Sequence, residues 1–142
     1  MIMCKSVTPW KLNAESVDKQ RIYHWEYWGV EEAVAYKDLQ AWRRRSIITK
    51  PKILIEDPDL IEQWHREIGE TYKPFIGVDY PEQMFEMSND DFEKFLRVSN
   101  ETVREIVKTT AVSMIKAENY PETSKLKMID EITGTNLIDF LS

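Results

Sequence analysis

Glu62 and His65 stand in Glu62-Gln63-Trp64-His65, a Glu-x-x-His spacing that places a carboxylate and an imidazole on one helix face. Helical bundles use it to hold paired iron ions. Such a centre takes a second Glu-x-x-His and two further glutamates, and His24 is the only other histidine. Asp57, Asp59 and Glu62 are accounted for as acids at a helix start, with no cation needed. A thiolate activated by a base is the other reactive arrangement on offer, through Cys4 with His24 or His65. Nothing flanking Cys4 matches a nucleophile signature, and a lone buried cysteine is the commoner case. Acid pairs such as Asp90 with Glu93, or Glu101 with Glu105, fall on solvated helix faces rather than in a desolvated cleft. The glycines at 29, 69, 77 and 134 fit neither GxxxxGK followed by Ser or Thr nor GxGxxG, and GxSxG is absent. No catalytic residue, metal or cofactor is assigned from these patterns.

Binding chemistry is better represented. Trp42 is followed by Arg43, Arg44 and Arg45, then Lys50 and Lys52. Arginine beside an aromatic ring can hold phosphate or stack on a base, although cations in a last helical turn also offset the negative helix end. Trp10, Tyr23, Trp25, Tyr27 and Trp28 form an aromatic cluster, with Tyr36 and Trp42 close in sequence. Trp, Tyr and Arg are the types most enriched at interaction hot spots, and aromatics are equally ordinary core material. Trp25, Tyr27, Trp28, Trp42, Arg43, Arg44 and Arg45 are therefore the expected partner-binding residues. Asn100-Glu101-Thr102 is a formal glycosylation sequon, relevant only to a secreted chain.

The elements that must position these residues read as follows. Arg21 to Trp28 alternates, with Tyr23, Trp25 and Tyr27 on one side and Ile22, His24 and Trp28 on the other. That is a strand, with Met1 to Val7 as its short partner and Asn13 to Asp18 as loop. A helix is predicted over about Val30 to Ser46, carrying Val34, Leu39 and Trp42 on an apolar stripe and the three arginines in its last turn. Pro51 limits Ile47 to Glu56 to an edge strand or connector. Asp57-Pro58-Asp59 starts the next helix, through Leu60, Trp64, Ile68 and Tyr72. Lys73 to Pro81 is loop, and a short helix covers Glu82 to Met87. Ser88 with Asp91 opens a helix, Ser99-Asn100 breaks or weakens it, and an amphipathic run continues to about Glu118. A last helix covers roughly Glu122 to Ile132, stopped by Gly134. Leu137, Ile138, Phe140 and Leu141 form an apolar tail that docks onto the domain or a second chain.

The chain has 142 residues, 31% of them charged and 42% hydrophobic. This predicts a single α+β, mostly α domain over 1–142, with an aromatic β/loop element at 1–28 and four or five helices across 30–142. The longest largely apolar run, Ala111 to Ile115, is far short of the ~20 residues that cross a bilayer. Met1 to Ser6 lack a secretory signal, and a lone cysteine suits a reducing compartment, so a soluble cytoplasmic protein is expected. Net charge is −6, with ten Lys/Arg against seven Asp/Glu up to Glu56 and nine against eighteen afterwards. An acidic total argues against a dedicated nucleic-acid binder. The expected function is a non-enzymatic interaction or assembly protein of the inhibitor, immunity or adaptor kind, of bacterial or viral type, with a protein or a second copy as partner. The alternative is a module binding phosphate-rich ligands or nucleic acid through Arg43 to Arg45.

Overall fold

In the computed structural model, which describes residues 1–141, the expected domain over 1–142 is gathered into two compact units, Met1–Gly77 and Val78–Ser142. The architecture is α+β and mostly α, with all the strand content in the first unit.

The first unit is built on β1 (Ile2–Ser6), which pairs antiparallel with β4 (Glu31–Val34) on one side and β5 (Ile53–Ile55) on the other. A separate hairpin joins β2 (Leu12–Glu15) to β3 (Ile22–Trp25). Directly opposed residues share a sheet face. Ile2 and Val34, Cys4 and Ile55, and Ser6 and Ile53 therefore face the same way, and all but Ile2 are buried. In the hairpin, Leu12 and Ala14 oppose Trp25 and Tyr23, whose rings are buried, while Ile22 and His24 face outward.

Two expectations are corrected here. Met1 to Val7 does not pair with the aromatic strand but is the centre of the other sheet. The partner of β3 is Leu12–Glu15, part of a segment expected as loop from Asn13. The helix expected from Val30 begins only at Tyr36: Glu31–Val34 is β4, then α1 spans Tyr36–Trp42 and α2 spans Ser46–Thr49. Pairing with β1 buries Val34 completely opposite Ile2, which overrides the helical preference of Glu-Glu-Ala. The edge-strand reading after Pro51 matches β5, which lies at the edge of its sheet. Tyr72 covers part of that edge, its hydroxyl accepting the Ile55 amide at 3.0 Å.

Asp57 caps α3 (Pro58–Gln63), accepting from the Asp59 and Leu60 amides. At Trp64 the predicted helix breaks, and α4 (His65–Ile68) follows. Leu60, Trp64 and Ile68 are buried in the first unit's core, as their spacing required.

A buried carboxylate ties the hairpin to the rest of this unit. Asp38, 1% exposed in the first turn of α1, accepts the Tyr23 hydroxyl at 2.6 Å and the Val17 amide at 2.8 Å. The same Tyr23 hydroxyl accepts the Ala35 amide at 3.2 Å. Trp25 adds a second tie, its Nε1 donating to the Cys4 carbonyl at 3.0 Å.

In the second unit, α5 (Asn89–Val98) is capped by Ser88 and α6 (Glu101–Lys116) by Asn100. α7 (Thr123–Thr133) ends at Gly134, whose φ of 72° is the left-handed conformation that favours glycine. Phe92, Leu96, Ile106, Val107, Leu126 and Ile129 are fully buried. The tail is held by Asp130, whose carboxylate accepts the Leu137 and Ile138 amides at 2.7 and 3.1 Å. Leu137 is buried, whereas Phe140 is 65% exposed. Ser142 lies outside the described residues. Among the described residues no helix is long and apolar enough to cross a membrane.

All five tryptophans lie in the first unit, so their fluorescence reports on that unit. Tyr23→Phe keeps the ring but leaves Asp38 and the Ala35 amide each short of a partner. Denaturant unfolding followed by that fluorescence should show a loss of about 1–3 kcal/mol, and an unchanged midpoint would remove the Tyr23 hydroxyl from the account. Truncation after Asn136 deletes the buried Leu137. It should cost the second unit about 2–5 kcal/mol, the range for emptying a leucine site. Unfolding read by far-UV ellipticity checks it, and wild-type stability would detach the tail from that core.

Candidate functional site

The partner-binding residues expected from sequence separate into three groups. Trp25 and Trp42 are 0% and 2% exposed. Trp42 packs edge-on against Tyr23 at 5.6 Å between ring centroids. Both are core residues, which leaves no ring face to meet a partner. Trp28 is also buried, 5.9 Å from the Phe75 ring, with its Nε1 without a hydrogen-bond partner. Tyr27, beyond the end of β3, is exposed. The strand stops at Trp25, so the alternation that would have paired Tyr27 with the buried rings does not continue.

The arginines divide likewise. They occupy the turn between α1 and α2 rather than the last turn of a long helix. Arg43 is engaged within the unit: its guanidinium lies 5.0 Å from the Trp64 ring centre, and Nε stands 3.1 Å from Glu67 Oε1. Burial alone would raise the Glu67 carboxyl, yet its own backbone amide and the Arg43 guanidinium together hold it below the usual carboxylate range. Arg44 and Arg45 are exposed and form no ion pair among the described residues.

Arg45 stands at a groove that sequence did not disclose. A depression of about 330 Å³ is lined by the four residues of β2 together with Trp42, Arg45, Ile47 and Lys52. A second depression of about 270 Å³ shares Glu15, Trp42 and Arg45 with it and adds Lys19. Three cations thus face one carboxylate, in a chain whose net charge is −6. That charge belongs to the second unit: 1–77 balances twelve Lys/Arg against twelve Asp/Glu, and 78–142 has seven against thirteen.

The ladder geometry shows which backbone groups of β2 point away from β3. Ser16 N donates to Arg21 O at 2.9 Å, so that pair is of the hydrogen-bonded kind. Such pairs alternate along an antiparallel ladder. Ala14 with Tyr23 and Leu12 with Trp25 are then hydrogen-bonded, and the N–H and C=O groups of Asn13 and Glu15 face outward. Among the described residues none of these four outward groups has a backbone or side-chain partner. Leu12 and Ala14 alternating with Asn13 and Glu15 carried a period-two signal, but four residues are too few to separate a strand from a loop.

The reactive arrangements weighed from sequence are not assembled. The Cys4 thiol is buried and directed at the Ile2 carbonyl at 3.7 Å. Burial, with Glu56 adding to it, pushes this thiol up to about 12, the opposite of activation. His24 is bonded to Asn13 and, at 2.5 Å, to Glu26. His65 turns Nδ1 to the Glu62 carbonyl oxygen at 3.1 Å, and the helix break at Trp64 separates the two residues of the Glu-x-x-His. Among the described residues no three His, Cys, Asp or Glu side chains gather as a metal site. Tyr72 is likewise pushed up to about 12 by burial.

No protein-family model, curated protein or solved structure matches the chain.

Cys4 and Tyr72 both have raised folded-state values, so the unfolded chain loses these protons first as pH rises. Their contribution is whole below about pH 9, the ordinary thiol value, and falls progressively toward pH 12. The denaturation midpoint by tryptophan fluorescence should drop over that window, and Cys4→Ala with Tyr72→Phe should flatten the drop. Cys4 should also react with a thiol reagent at the rate of unfolding; rapid reaction of the native protein would refute its burial.

Proposed function

We infer that this chain is a non-enzymatic interaction protein whose first unit binds a protein partner. The observation that supports the reading is the β2 groove, where unpaired backbone groups and unpaired cations coincide. A sheet edge with free N–H and C=O groups is a template for another polypeptide. Cations on its flank speed and orient association with a partner of opposite sign. Placement in the cytoplasm and action as an inhibitor, immunity factor, adaptor or assembly factor belong to the same reading.

A second reading has its own observation. Arg44 and Arg45 are exposed and form no salt bridge among the described residues, which also suits a phosphate-rich ligand or nucleic acid. Against it, Trp42 is too buried to stack on a base, and the few cations here would give only a shallow salt dependence.

The discriminating experiment is affinity capture by the tagged chain from a lysate, with and without nuclease, repeated with Arg45→Glu/Lys52→Glu. Under the favoured reading one protein is recovered in fixed proportion, survives nuclease, and is lost by at least about tenfold in the double variant. Recovery abolished by nuclease would move the assignment to nucleic acid. Recovery indifferent to the double variant would remove the groove from the reading.

A further inference from the structure

We propose that the occupant of the β2 groove is an extended acidic segment of a partner protein, which adds to β2 as a third strand of the hairpin sheet. The proposal rests on the interaction reading above and specifies its ligand.

The backbone sets the conformation. Asn13 and Glu15 turn both their amides and their carbonyls away from β3, two residues apart. Only a chain presenting donors and acceptors at the same repeat can pair with both kinds of group, and an extended polypeptide does so. A phosphodiester offers acceptors alone and would meet the two carbonyls unfavourably.

The charge sets the composition. Arg45 and Lys52 line the groove beside β2, and Lys19 lines the adjoining depression. None of the three has an ion-pair partner among the described residues. In a strand, alternate side chains share a face, so carboxylates at every second position can lie together toward these cations. Glu15 is the one groove carboxylate, and it opposes such a ligand. Ile47 and Leu12, both half-buried, supply apolar contact for the uncharged positions between.

The test uses the full chain and three fluorescein-labelled peptides: alternating Asp and Val, its Asn/Val counterpart, and the Asp/Val peptide N-methylated at pairs of consecutive residues, so that both edges of the strand are blocked. Fluorescence anisotropy should show the Asp/Val peptide binding, with both controls weaker by about tenfold or more, the scale of one lost charge-assisted contact. Arg45→Gln and Lys52→Gln should each weaken it by roughly the same factor. The two substitutions at Glu15 should act in opposite directions. Glu15→Gln removes the opposing charge and tightens binding. Glu15→Pro removes an outward N–H without touching the β2–β3 hydrogen bonds and weakens it. Circular dichroism and tryptophan fluorescence establish that each variant is folded, and the N-methylated peptide tests strand pairing if Glu15→Pro is not.

Equal affinity for the N-methylated peptide would overturn strand addition. Equal affinity for the Asn/Val peptide would overturn the acidic requirement. An oligothymidylate that binds more tightly through the same arginine and lysine would reassign the groove to phosphate. Dimerisation lost in Glu15→Pro, with no peptide bound, would reassign the edge to a second copy of this chain. If no peptide binds while partner capture still depends on Arg45 and Lys52, the acidic strand falls and the interaction reading stands. If capture fails as well, both fall.

Discussion

The first unit depends on the buried carboxylate of Asp38. It sits in the first turn of α1 and receives a hydroxyl proton from β3 and an amide proton from the loop between β2 and β3. Those elements lie 15 and 21 residues away in sequence. A buried carboxyl must find partners or carry a heavy desolvation penalty, so its placement dictates where the hairpin sits. The hydroxyl of Tyr23 is shared between Asp38 and the Ala35 amide at the helix entrance, where no side chain caps the helix. One tyrosine thus joins a strand, a helix start and a carboxylate. Its own proton is held more tightly than usual, first by burial and then by the Asp38 hydrogen bond.

The groove follows from that arrangement. Fixing the hairpin through Tyr23 and Trp25 leaves β2 as the outer strand of a two-stranded sheet. The turn after α1 then brings Arg45 to line the same groove, while Arg43 is drawn to Trp64 and Glu67. The aromatic side chains that make this unit's core cannot also serve as its contact surface. The groove itself presents main chain, charge and the half-buried Leu12 and Ile47.

The second unit relies more on local contacts, with side-chain caps at the starts of α5 and α6 and a glycine at the end of α7. Ser88, Asn100 and Gly134 each satisfy or end a helix within a few residues of chain. Lys125 is buried there, paired with Glu122 at 3.2 Å and 5.9 Å from the Phe92 ring centre. Asp130 performs for the tail what Asp38 does for the hairpin, gathering amides that would otherwise lack acceptors.

Capping and helical period act over about one turn, which is why Asp57, the Ser88 helix start, the Gly134 stop and the mostly helical character were legible in sequence, whereas the Asn100 cap was not. The buried face of α3 and α4 followed from period alone. Strand partnership was not legible, because nothing local names which of several short extended segments β1 will join. Glu31–Val34 became a strand because Ile2 to Lys5 offered it an edge. Burial of Trp25 and Trp42, capture of Arg43 and the open backbone of Asn13 and Glu15 were likewise decided by residues distant in the chain. Local chemistry wrote the helices and left out the familiar catalytic loop motifs; only the non-local pairing of strands determined which aromatic rings became core and where a strand edge was left open.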